Sequence, residues 1–109
     1  MRRLFYSSGS FLTGDLVGDA VLQYARALAG TGDADIVSVP ARTDDGLNGL
    51  AHILVGPASQ IFTMPAPSNG DEPFDREIVD ALNAKSRALQ PSRPEAEAPR
   101  TDAVDLDLA

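Results

Sequence analysis

The sequence predicts a small α+β domain, β-α-β-β-β-α, in which a mostly antiparallel four-stranded sheet packs two helices on one face. Three observations predict it: apolar residues at helical spacing between residues 13 and 29, four short β-branched or aromatic runs separated by turn residues, and a second helical stripe between residues 74 and 89. At 109 residues, 43% of them hydrophobic and none of them Cys, the chain has material for one thin core held by packing rather than by disulfides.

Residues 2–7 (RRLFYS) are short and aromatic and read as the first strand, closed by the loop Ser8-Gly9-Ser10. From Thr13 the period changes. Leu16, Val17, Ala20, Val21, Tyr24, Ala27 and Leu28 fall on one side of a helix, and Asp15, Gly18, Asp19, Gln23 and Arg26 on the other. Leu22 lies in the middle of the polar arc, where a single exposed Leu is ordinary. Thr13 is positioned to cap the first turn, Asp15 complements the positive end of the helix dipole, and Gly30 with Gly32 ends the helix.

Residues 35–41, with Ile36, Val37 and Val39 before Pro40, read as the second strand, and residues 50–55 (LAHILV) as the third. Gly56-Pro57-Ala58-Ser59 then turns the chain into a fourth strand over residues 60–64. With Asp45-Gly46 and Pro57-Ala58 as turn centres, Ile36, Ala51, Ile53, Val55, Phe62 and Met64 share one face. Val37, Val39, Leu50, His52, Leu54, Ile61 and Thr63 share the other. Both faces are apolar, whereas a sheet with one wet face alternates apolar and polar residues, so the second face calls for a cover.

The second helix is expected to start near Asp71-Glu72-Pro73 and to bury Phe74, Ile78, Ala81, Leu82 and Leu89, with the Lys85 stem along that stripe and its ammonium in water. The domain closes at residue 89. Residues 90–109, with Pro91, Pro94 and Pro99 among acids, read as a flexible acidic tail whose Val104, Leu106 and Leu108 alternate in a way that suits addition to a sheet edge.

The formal net charge of -7 disfavours nucleic acid and anionic lipid surfaces, since only Arg2 and Arg3 among the cations are adjacent. No apolar run approaches the ~20 residues that span a bilayer. Polar residues from Ser7 to Asp19 also interrupt any signal-peptide core behind Arg2-Arg3, so the expected location is the cytoplasm.

Residues 9–15 (GSFLTGD) sit between a strand and a helix with the glycine spacing of a phosphate loop. Such a loop needs Lys and then Ser or Thr after its second Gly, and this chain has Asp15 and Leu16 there. Ser8, Gly9, Ser10, Thr13 and Gly14 remain candidates for a less demanding anion or polar small molecule at the helix start. The plainer reading is a tight turn. His52 is the one imidazole and the one candidate acid/base, without an acid at a diagnostic spacing. Neither a calcium loop nor a G-x-S-x-G elbow is present, and no metal or cofactor is expected.

Two function classes follow. The first is a non-catalytic interaction module, a homodimer or a partner-binding subunit, whose interface is Val37, Val39, Leu50, His52, Leu54 and Ile61. The second is a small-molecule binder or weak enzyme built on residues 7–15.

Overall fold

A computed structural model describes residues 1–68 and 70–90. Its elements are β1 (Arg2–Tyr6), β2 (Gly9–Thr13), α1 (Asp15–Thr31), β3 (Asp35–Arg42), β4 (Asn48–Val55), β5 (Ile61–Pro65) and α2 (Arg76–Ala88). The class is α+β as expected, but the sheet has five strands rather than four, in the order β4-β3-β2-β1-β5 with every neighbouring pair antiparallel. The expected tail, beyond Gln90, lies outside the described residues.

The additional strand is β2, where the sequence suggests a loop. Ser7 and Ser8 form a two-residue turn that pairs Tyr6 with Gly9, and Ser7 takes the positive φ of 58° that such turns require. Glycine usually occupies that place. Here Gly9 comes after the turn, so it marks the start of a strand instead of a loop.

The fourth expected strand, β5, does not form a hairpin with β4. It pairs with β1, from Arg2 opposite Pro65 to Tyr6 opposite Ile61, and leaves β4 and β5 at opposite edges of the sheet. With β2 on its other side, β1 becomes an interior strand, which suits the complete burial of Leu4.

The β3–β4 ribbon closes through residues 43–47, because Arg42 is paired with Asn48 and Asp35 with Val55. This loop is tied internally. The Gly46 amide donates to the Thr43 carbonyl (3.0 Å), the Thr43 amide to the Leu47 carbonyl (2.9 Å), and the Leu47 amide to Thr43 Oγ1 (3.0 Å). Its centre is Asp45, not the Asp45-Gly46 bond, and that displacement moves the register by one residue. A shift of one exchanges the two faces of a strand relative to its partner.

The first helix buries Val17, Ala20, Val21, Tyr24 and Leu28, the heart of the expected stripe, although Leu16 is exposed and Leu22 half-buried. Thr13 does not cap it. The N-cap is Gly14, and Thr13 is a buried strand residue whose hydroxyl donates to the Pro40 carbonyl at 2.6 Å across the β2–β3 seam. Gly30 lies inside the helix, and Gly32, left-handed at φ 76°, ends it by donating to the Leu28 carbonyl.

The second helix starts later than the sequence suggests. Asp75 caps it by accepting from the amides of Glu77 (2.9 Å) and Ile78 (3.2 Å). Val79 and Leu82 enter the core while Phe74 and Ala81 stay exposed. Both helices cover the same face of the sheet, over Leu4, Val37, Val39, Ile53 and Val55.

A polar clamp ties α1, β3 and α2 together. The Tyr24 hydroxyl donates to Asp35 Oδ2 at 2.6 Å, and Lys85 Nζ lies 3.4 Å from the same oxygen and 5.7 Å from the Tyr24 ring centroid. Burial and the Asp35 carboxylate push the phenol up to about 12, and the Tyr24 hydrogen bond holds Asp35 below its ordinary value. Tyr24→Phe is expected to lower unfolding free energy by about 1.5 kcal/mol in urea denaturation, the usual scale for a hydrogen bond to a charged group.

Candidate functional site

Each strand pair assigns side chains to a face. Val37, Val39, Ala51, Ile53, Val55, Ile61 and Thr63 point towards the helices together with Leu4 and Phe11. The opposite, outer face carries Ile36, Ser38, Pro40, Leu50, His52 and Leu54 on the β3–β4 ribbon. It continues with Arg3, Phe5, Leu12, Phe62 and Met64 on the other three strands.

This corrects the interface expected from the sequence. Val39 is completely buried, Val37 is 4% exposed, and Ile61 packs half-buried against the same core, so all three lie beneath the helices. Leu50, His52 and Leu54 are on the outer face, and Ile36, Phe62 and Met64 move there with the register. The expectation of two apolar faces stands with that altered membership.

The outer face has no second layer over it among the described residues. Ile36 is 67% exposed, Leu50 56%, Leu54 53%, Phe62 55% and Met64 52%. Together these leave on the order of 500 Å² of apolar side chain in water, the upper part of the range for monomer surfaces. Two clusters make it up. Phe62 stacks on Phe5 with ring centroids 4.5 Å apart and planes 10° apart, beside Met64. On the ribbon, Ile36 faces Leu54, and Pro40 faces Leu50. Between the clusters Arg3 spans from β1 to the ribbon tip, donating to Ser10 Oγ (3.1 Å) and Asp44 Oδ1 (3.0 Å). Leu47 at that tip is 66% exposed.

His52 sits on this face opposite Ser38, exposed between Leu50 and Leu54, with no side-chain hydrogen bond among the described residues. No group of three or more His, Cys, Asp or Glu among the described residues is arranged to hold a metal ion. No helix among them is long and apolar enough to cross a membrane.

The residues expected to receive an anion fold differently. Ser8 is in the turn, Gly9, Ser10 and Thr13 belong to β2, and Gly14 is the buried N-cap of α1. The helix start already holds an anion, one supplied by the chain. Glu72 Oε1 accepts from the Asp15 amide at 3.2 Å, the Pro73 carbonyl accepts from the Gly14 amide at 3.0 Å, and Glu72 Oε2 meets the terminal amine of Met1 at 2.8 Å. Asp15 Oδ1 lies 3.0 Å from the same amine. A helix amide and an ammonium drawing on one carboxylate is the response expected at a helix N-terminus. The partner comes from 57 residues away, and no local motif announces it.

These contacts hold the Glu72 carboxyl below its ordinary value of 4.5 and, through Glu72 and Asp15, raise the Met1 amine above 8.0. A depressed carboxylate contributes stability above its unfolded value and loses it as pH falls; a raised amine contributes below its unfolded value and loses it as pH rises. Urea midpoints are therefore expected to decline below about pH 4.5 and again on the alkaline side of 8.0, with Glu72→Gln flattening both limbs.

No protein-family model matches this chain, and no curated protein or solved structure matches it either.

Proposed function

We propose that the protein is a cytoplasmic, non-catalytic association module that joins a second copy of itself through the outer face of its sheet. The observation that carries this reading is the set of five large apolar side chains, each more than half exposed, on one face of a sheet whose other face is fully packed. Leaving such an area in water is costly, and association removes the cost.

Light scattering on the intact chain at micromolar concentration is expected to give a mass of at least twice the monomer. Phe62→Glu and Ile36→Asp change exposed positions, so their thermal melts should match the parent while the mass falls. A parent that stays monomeric throughout that range overturns the reading. If it captures a different protein instead, the occupant is a heterologous partner and the self-association proposed here is wrong.

A further inference from the structure

The two edges of the sheet are not alike. At one edge, β5 is a five-residue strand that ends at Pro65 and is followed by Pro67, a common way to stop another strand from adding. At the other, β4 runs for eight residues, NGLAHILV, without a charge or a proline. Proteins normally blunt such an edge with Lys, Pro or a bulge, because its unpaired amides and carbonyls are a template for pairing. No strand lies beyond β4 among the described residues.

One end of this edge is closed. The Leu54 carbonyl accepts hydrogen bonds from Ser59 Oγ (3.2 Å) and from the Tyr6 hydroxyl. The open part is therefore the stretch from Asn48 to Ile53. It has a self-complementary composition: about a two-fold axis at Leu50, Asn48 meets a second copy's His52, Gly49 meets Ala51, and Leu50 meets Leu50. On the outer face this gives an amide beside an imidazole, then a Leu-Leu contact, then the same polar pair reversed. On the helix face it sets small residues against small ones, so two ladders approach without a clash.

The charge distribution makes β4 a strand at which a second copy is least repelled. The chain carries a net charge of -7, which repels another copy in general, yet β4 contributes nothing to that repulsion. We infer that two copies of this chain pair antiparallel along β4, centred on Leu50, so that their two five-stranded sheets become one continuous sheet. The inference rests on the reading that the chain self-associates and adds a second contact to it, at the sheet edge. Edge pairing sets the two apolar outer faces side by side as one larger surface and leaves them uncovered, so the face contact proposed above stays open to the pair.

The register makes a specific test possible, because across the new seam Leu50 meets its own symmetry mate. Leu50→Lys and Leu50→Glu each set like charges directly opposite one another, which is destabilising between paired strands. Each variant alone, folded as judged by an unchanged thermal melt, is expected to lose association by at least about tenfold in dissociation constant. An equimolar mixture of the two is expected to recover the parent mass, since the ammonium introduced in one chain then faces the carboxylate introduced in the other across the axis. Recovery in the mixture supports the Leu50-centred pairing. If both variants dissociate and the mixture does not recover, the outer face still mediates association but this register is wrong. If neither variant changes the mass of an associating parent, β4 is not the contact.

A chain truncated after Leu89 distinguishes the remaining occupant. Persistence of the dimer supports pairing of two β4 strands. Loss of the dimer, or a dimer that appears only on truncation, assigns the β4 edge to residues 104–108 and overturns the proposal.

Discussion

Val39→Asp is expected to unfold the protein, and Leu54→Asp to leave it as stable as the parent while removing its self-association. The positions belong to adjacent strands and differ in the face they present. Val39 is completely buried in the cluster under both helices, so a carboxylate there loses its hydration and finds neither a cation nor a donor in an apolar surrounding. The expected loss exceeds about 4 kcal/mol, most of the stability of a small domain. Leu54 is 53% exposed and its new charge remains in water. Its effect on stability should stay within about 0.5 kcal/mol. Circular dichroism through a urea gradient, together with light scattering, separates the two outcomes. Equal destabilisation by both would mean that the faces have been assigned wrongly.

The second large effect is at Gly14. A Cβ there would stand 2.6 Å from the Pro73 carbonyl oxygen, a backbone atom that accepts a hydrogen bond from the same glycine's amide. Neither side can yield alone: moving Pro73 withdraws Glu72 from the helix start, and moving Gly14 distorts the junction between β2 and α1. Gly14→Ala is expected to cost about 3 kcal/mol by overpacking and the loss of that bond. Gly30→Ala is the internal control. It lies within α1 with nothing inside 4 Å of its added Cβ, so the ordinary helix preference for alanine should raise stability by about 0.5 to 1 kcal/mol. Urea midpoints moving in opposite directions for the two glycines would confirm the assignment.

What could be read from the sequence followed from period, and what could not followed from pairing. The stripe Val17, Val21, Tyr24 and Leu28 has a spacing that admits one structure, and it lies buried in α1. The run from Ile36 to Leu54 displays apolar residues in both phases of its alternation, so no hydrophobic preference fixes which phase faces the helices. Only the loop could decide that. Residues 43–47 contain both Asp-Asp-Gly and a Thr whose hydroxyl receives an amide, and a two-residue turn and a five-residue loop fit that composition equally. One residue of difference then transferred Val37 and Val39 from the proposed interface to the core. The turn at Ser7 was hidden for a different reason, since serine at positive φ carries no signature of its own. The grip of Glu72 on α1 is a contact across 57 residues, which local patterns do not encode.

The interior place of β1, between β2 and β5, has a consequence for synthesis on the ribosome. Its two neighbours are made at very different times: β2 follows at once, but β5, which supplies the pairs from Arg2–Pro65 to Tyr6–Ile61, emerges only near the end of the domain. At about 5 to 20 residues per second, the nascent amino-terminal hairpin waits several seconds with one flank unmatched. During that interval the growing polypeptide depends on whatever shields the open side of Leu4 and Phe5, so slowing translation between the codons for Gly14 and Gln60 should lengthen its exposure to chaperones and to misassembly.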